Sequence, residues 1–153
     1  MAVLIDTNIL LRTLQPHHSH CAAAEKAVAA LRIQEETLHV AAQNLVEFWA
    51  VATRPAGENG LGMSTQAAAR ELAVLKRLFS LLPELPVFEE WERLVAMHKV
   101  SGKNTHDARL VATMKAYGIA RILTFNIQDF TRYSEIEALH PDAVCADFPS
   151  GTA

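Results

Sequence analysis

Four carboxylates in this 153-residue chain sit where an acid invites a chemical explanation: Asp6, Glu47, Asp107 and Asp129. Asp6 ends the apolar run Val3-Leu4-Ile5 and is followed by the small polar pair Thr7-Asn8. Asp129 follows a second such run, Ile122-Leu123-Thr124-Phe125, and the polar Asn126. Glu47 interrupts Leu45-Val46-Glu47-Phe48-Trp49, where an ionised side chain is costly unless paired, hydrogen-bonded or on a cation. Asp107 opens a helical segment after Ser101-Gly102-Lys103-Asn104. Each has an ordinary explanation as well. Asp6 would cap the turn that begins near Ile9, and Asp107 would face a helix dipole behind an Asn104 cap. Glu47 would share one solvated stripe with Asn44 and Arg54. Gathered at one place, however, four acids cannot all stay ionised without cations, because like charges raise one another's pKa. Mg2+ or Mn2+ is the natural counter-charge, being a hard ion that takes oxygen ligands and keeps several waters. Such a site is suited to phosphodiester hydrolysis.

The elements that must position these acids follow from the apolar pattern. Val3 to Ile5 and Ile122 to Phe125 read as short buried strands, each stopped by turn-forming residues. Helices are expected from about His20 to Ile33 behind a Ser19 cap, and from Ala41 to Thr53, ended by Pro55. The second is apolar almost all round and reads as buried on more than one side. A third helix runs from a Ser64 cap to about Leu82, with Ala68, Leu72, Leu75, Phe79 and Leu82 on one stripe. Two more span Glu89 to Val100 and Asn104 to Tyr117, the latter stopped by Gly118. Thr37 to Val40 reads as a short strand or a turn, and Ile136 to Leu139 as a weak strand. The Arg54 to Met63 loop carries three of the six glycines and reads as mobile. Apolar strands separated by helical crossovers predict an α/β fold with a parallel sheet. In such a sheet ligands collect at the carboxyl ends of the strands, where Asp6 and Asp129 both fall.

Composition narrows the setting. The length suits a single domain over 1–148 with a tail at 149–153, and 50% hydrophobic with 20% charged residues suits a compact core. Cys21 and Cys145 stand far apart without a CxxC, which indicates neither a zinc site nor a disulfide framework. No window approaches a membrane span and no secretory signal precedes Asp6, so a soluble cytoplasmic protein is expected. The net charge of -3 weakens any reading based on bulk attraction to nucleic acid. Committing four carboxylates to cations leaves the remainder slightly positive, so the charge does not remove that reading. Pro16-His17-His18-Ser19-His20 could suggest a metal, but with no acidic or cysteine partner nearby it reads as an exposed polar loop.

The segments Leu4-Ile5-Asp6-Thr7-Asn8-Ile9-Leu10, Asn44-Leu45-Val46-Glu47-Phe48, His106-Asp107-Ala108-Arg109-Leu110 and Leu123-Thr124-Phe125-Asn126-Ile127-Gln128-Asp129-Phe130 resemble the successive motifs of PIN-domain ribonucleases. They are most similar to those of VapC toxins from toxin–antitoxin pairs. The likeness runs from about residue 3 to residue 139, with the motifs in order. It implies a three-layer α/β/α sandwich and a Mg2+- or Mn2+-dependent endoribonuclease. Asp6, Glu47 and Asp107 would then be the main metal-binding acids, with Asp129 as the fourth. Asn126 stands where some members carry an acid, which leaves one-ion and two-ion chemistry both open. Thr7, Asn8 and Thr124 match supporting polar positions. Arg12, Arg54, Lys99, Lys103 and Arg109 are candidates for holding RNA by motif proximity alone. The resemblance also implies a cognate antitoxin and a homodimer. Two other classes remain on the table: a PIN-like module that binds RNA or protein without cutting, and a phosphatase with Asp6 as nucleophile. The latter would want a second Asp where this chain has Asn8.

Overall fold

The computed structural model describes residues 1–147; Phe148 and the expected tail at 149–153 lie outside the described residues. Five strands form one sheet: β1 (Ala2–Ile5), β2 (Thr37–Val40), β3 (Ser80–Leu81), β4 (Arg121–Leu123) and β5 (Glu137–Leu139). All neighbours are parallel, in the order β3-β2-β1-β4-β5. The helices are α1 (Thr7–Thr13), α2 (Cys21–Ile33), α3 (Ala42–Thr53), α4 (Thr65–Leu78), α5 (Phe88–Met97), α6 (Asn104–Ala116) and α7 (Pro141–Ala146). Single 3-10 turns cover Ala56–Glu58 and Ile127–Phe130.

The central strand separates two cores, as alternation along an extended chain requires. Val3 and Ile5 pack with Leu10, Leu31, Phe48 and Leu75, residues of α1 to α4. Leu4 points the other way, with Leu94, Leu110, Met114 and Ile122, beneath α5 and α6. Both sides of β1 are fully buried, which explains an uninterrupted apolar run rather than an alternating one. The three layers expected from the sequence are therefore present. From β1 the chain steps outward through β2 and β3, then returns to the opposite side of β1 as β4. The carboxyl ends of β1 and β4 thus flank the point where the strand order reverses, the usual crevice of a parallel sheet.

Several local expectations change in the structure. The helix expected to reach Leu82 stops at Leu78, because Phe79 is extended (φ -124°, ψ 150°) and Ser80–Leu81 pair with His39–Val40. Thr37–Val40 is a strand, held in register with Ala2–Leu4 and with β3. Ser19 does not cap α2; His20 occupies the cap position without a side-chain bond. Asn104 is the first residue of α6 rather than its cap, which is Lys103. α5 is shorter than Glu89 to Val100, since Lys99 adopts a left-handed backbone (φ 52°). The α6 terminus does follow the glycine signal. Gly118 takes φ 67°, the Ile119 N–H bonds to Met114 O and the Gly118 N–H to Lys115 O, the double bond of a Schellman turn.

The glycine-rich loop after α3 is tied down rather than loose. Leu61 and Met63 donate backbone bonds to Val51 and Ala52, and Gly62 donates to Arg54. Gly60 passes so close to Arg54 that an added Cβ would stand 2.0 Å from its carbonyl oxygen. Gly57, in the same loop, has nothing within 4 Å of that position. Gly60→Ala should therefore destabilise the fold by about 1–3 kcal/mol, while Gly57→Ala should be near neutral. Urea unfolding of the two variants beside the parent chain checks this.

Candidate active site

The site grows from the end of β1. Pairing with β4 continues one residue past the strands, where the Asp6 N–H donates to Leu123 O at 3.0 Å. This sets Asp6 opposite Thr124, and the Thr124 hydroxyl donates to Asp6 Oδ2 at 2.8 Å. Asp6 Oδ1 accepts from the Thr7 N–H at 2.8 Å, so Asp6 is itself the cap of α1. The ordinary capping role expected of Asp6 is therefore present. Capping α1 and bonding to β4 are compatible because the two carboxylate oxygens face different partners.

Asn8 ties the same strand ends together. Its amide donates to Thr124 Oγ1 at 3.1 Å and to Asp6 Oδ2 at 3.4 Å, and its Oδ1 accepts the Phe125 N–H at 3.2 Å. The Asn126 N–H donates to Thr124 Oγ1 at 3.0 Å. Asn126 thus uses its backbone here, and its exposed side chain leaves the fourth-motif carboxylate to Asp129, half-buried in the 3-10 turn.

Glu47 reaches the site from α3. Its Oε2 accepts the Thr7 hydroxyl at 2.7 Å, and its Oε1 accepts the Gln43 amide at 2.9 Å. Glu47 is half-buried, and its helix is less enclosed than its composition suggests, since Val46 is 69% exposed. The proposed solvated stripe of Asn44, Glu47 and Arg54 does not exist. Asn44 is fully buried, accepts the Ala41 N–H at 2.9 Å and donates to Thr7 Oγ1 at 3.3 Å. Thr7 therefore joins the start of α1 to both the buried and the site-facing side of α3.

Asp107 comes from the first turn of α6. The Gln43 amide also donates to His106 O at 2.7 Å, and Arg109 donates to Gln43 Oε1 at 3.1 Å. Gln43 consequently couples α3 to α6 beside both acids. Sequence reasoning passed over it, although its spacing of four residues from Glu47 put it on the same helix face. Arg132 was missed too, and its charge acts on Asp107. Of the cations suggested by motif proximity, Arg109 touches this network and also pairs loosely with Glu84 (3.8 Å). Arg12 donates to Gln15 at 2.6 Å. Arg54, Lys99 and Lys103 make no side-chain hydrogen bond or ion pair among the described residues.

The electrostatics follow from this convergence. Burial pushes the Asp6 carboxyl from 3.8 up to about 6, against the hydrogen bonds of Thr124 and Thr7, and the charges of Glu47 and Asp129 push the same way. Asp107 rises from 3.8 to about 7, through burial first and then through Asp6, Asp129 and Glu47, with Arg132 opposing. Glu47 and Asp129 are thus near enough to act on both Asp6 and Asp107. Their donors are all carboxylate oxygens, the chemistry that hard divalent cations prefer. Among the described residues no three acidic, histidine or cysteine side chains are already drawn around a single point.

Known proteins support the family and the fold. The PIN domain model matches residues 3–136. No curated relative matches the chain in sequence. Among solved structures, VapBC2 from Rickettsia felis, bound to a DNA fragment from its promoter, superposes with a TM-score of 0.68 at 14% identity, covering 92% of this chain and 98% of that one. VapBC-1 from nontypeable Haemophilus influenzae gives 0.65 at 15%, covering 93% and 99%. VapC20 from Mycobacterium tuberculosis, described as a sarcin-ricin loop cleaving toxin, gives 0.57 at 20%, covering 78% and 86%. With the motif acids gathered at one sheet edge and the family model spanning most of the sequence, the chain belongs to the PIN-domain family.

Proposed function

We propose that this protein is a divalent-metal-dependent endoribonuclease and the toxin of a toxin–antitoxin pair. The observation that carries this reading is the convergence of acids on Asp6 and Asp107, both raised by burial first, then Asp6 by Glu47 and Asp129 and Asp107 by Asp6, Asp129 and Glu47. A cluster so unfavourable when ionised is what a cation would relieve. The likeness to VapBC structures supports the toxin role and an antitoxin partner.

Asp6, Glu47 and Asp107, with Asp129 as the fourth acid, would hold Mg2+ or Mn2+. The bound cation would neutralise the phosphate and acidify water. Thr124 and the Thr7 N–H fix both Asp6 oxygens, so Asp6 keeps its direction as charge builds in the transition state. Thr7 and Gln43 hold Glu47 in the same way. Asp6 or Asp107, ionised once a cation is bound, would help take a proton from the attacking water. In-line displacement would leave a 5′-phosphate and a 3′-hydroxyl, without a protein nucleophile. A phosphatase that attacks through Asp6 fits poorly, because both Asp6 oxygens are already hydrogen-bonded and Asn8 supplies no acid.

A non-catalytic PIN-like module is the second reading, favoured by the lack of a preformed three-acid cage among the described residues. Calorimetric titration with Mn2+ at pH 7.5 separates the two: the nuclease reading expects binding, the module none at millimolar metal. Asp6→Asn should cut Mn2+-dependent RNA cleavage by about 100-fold or more while the circular dichroism spectrum is unchanged. Equal cleavage by the variant would sink the nuclease reading.

The same acids make a stability prediction of opposite sign. A carboxyl whose pKa is raised on folding leaves the native state holding more protons than the unfolded chain. Stability therefore falls as pH rises from about 4 to about 7. In EDTA at pH 7.5, Asp6→Asn should thus be more stable than the parent chain by about 1–3 kcal/mol. The difference should shrink toward pH 4. Thermal melts at the two pH values, with and without Mg2+, check the sign.

A further inference from the structure

The histidine loop, which the acid cluster does not use, folds against the rim of the site. His20 stacks on Phe125 with ring centroids 4.5 Å apart and planes 14° from parallel. His140, from the end of β5, meets the Phe125 ring edge-on at 5.5 Å and 82°. His18 lies 5.2 Å from His20, tilted by 55°. Three segments remote in sequence therefore build one cluster of rings. Its inner member, Phe125, is half-buried and rests against the main core, while His20 is exposed.

The cluster is rigidly joined to the acids. Phe125 follows Thr124, whose hydroxyl donates to Asp6, and the Phe125 N–H is held by Asn8. His20 keeps its place through its own N–H, which donates to His18 Nδ1 at 3.0 Å. Nearby, Arg12 points one guanidinium donor at Gln15 and leaves its Nε without a partner among the described residues. Burial lowers the His18 pKa, and the nearby charges of Arg12 and His20 add to it. An exposed flat ring backed by a second ring, beside an under-used cation, is the pairing that single-stranded nucleic acids exploit. Bases stack on the ring and the backbone meets the charge.

We infer that the His20–Phe125 ring stack is a base-binding subsite, on which an unpaired nucleobase flanking the scissile phosphate of an RNA substrate stacks. The inference rests on the nuclease reading and deepens it, by making the substrate single-stranded at that position. Selection among bases through hydrogen bonding is not required, since every base presents a π face. Arg12 would meet the adjoining phosphate.

The test uses the full-length protein and a pool of fluorescent 16-mer RNAs of randomised sequence. Binding is followed by anisotropy in Ca2+ and cleavage in Mn2+. His20→Ala should weaken binding by about 5- to 100-fold, the range of one lost base stack, and raise KM more than it lowers kcat. His20→Trp should restore binding, and His17→Ala, which alters a neighbouring loop histidine outside the cluster, should bind as the parent does. Thermal melts confirm that His20→Ala is folded. If the parent cleaves while His20→Ala binds equally well, the subsite is overturned and the nuclease reading stands. If His20→Trp is as weak as His20→Ala, stacking is overturned as the cause. If the parent neither binds nor cuts the pool, the nuclease reading falls and the subsite with it.

Discussion

Asp6 is held at the end of the central strand with its two carboxylate oxygens on separate elements. One accepts the first N–H of α1 and the other accepts the Thr124 hydroxyl at the end of β4. This single buried carboxylate therefore fixes how the first helix leaves the sheet and how the β1–β4 crevice closes. The arrangement has an unavoidable cost, because Asp6 is 8% exposed and other acids push its pKa the same way that burial does. A fold that places such a group at its centre of topology calls for an opposite charge. The rest of the site can be understood as supplying the remaining oxygen ligands for one.

The other acids arrive on separate elements: Glu47 on a helix of one layer, Asp107 on a helix of the other, and Asp129 in a turn between β4 and β5. Neutral side chains hold two of the four acids: Thr7 and Gln43 bond Glu47, Thr124 and Asn8 bond Asp6, and Asn44 supports Thr7, all without adding charge. Gln43 bridges the two layers at the mouth through Glu47 and the His106 carbonyl. A basic residue in its place would compete with a cation for the carboxylates. A neutral amide orients Glu47 and leaves its charge available.

Much of this was legible in the sequence because the strands are apolar on both faces and stop at polar residues. Val3-Leu4-Ile5-Asp6 carries both the burial of β1 and the position of its acid. Which faces of helix α3 are buried was misjudged, since composition does not reveal that Val46 faces solvent while Asn44 faces the core. Asn44 is buried because its amide satisfies Thr7 and the Ala41 N–H at once, a tertiary pairing without periodic signature. The two-residue strand β3 was equally invisible: Ser80–Leu81 is exposed, and only pairing with β2 makes it a strand. Long-range charge effects, such as Arg132 on Asp107, likewise depend on how the chain folds back.

The central claim is that Asp6, buried, and Asp107, half-buried, are raised together by burial and by the acids around them, and that a divalent cation relieves this. It is tested most directly by carbon-13 NMR titration of the side-chain carboxyls, without metal and with saturating Mg2+. The account predicts metal-free midpoints near 6 for Asp6 and near 7 for Asp107, both falling toward or below the ordinary carboxylate range when Mg2+ is added. Midpoints near 4 without metal, or raised midpoints that Mg2+ leaves unmoved, would contradict it.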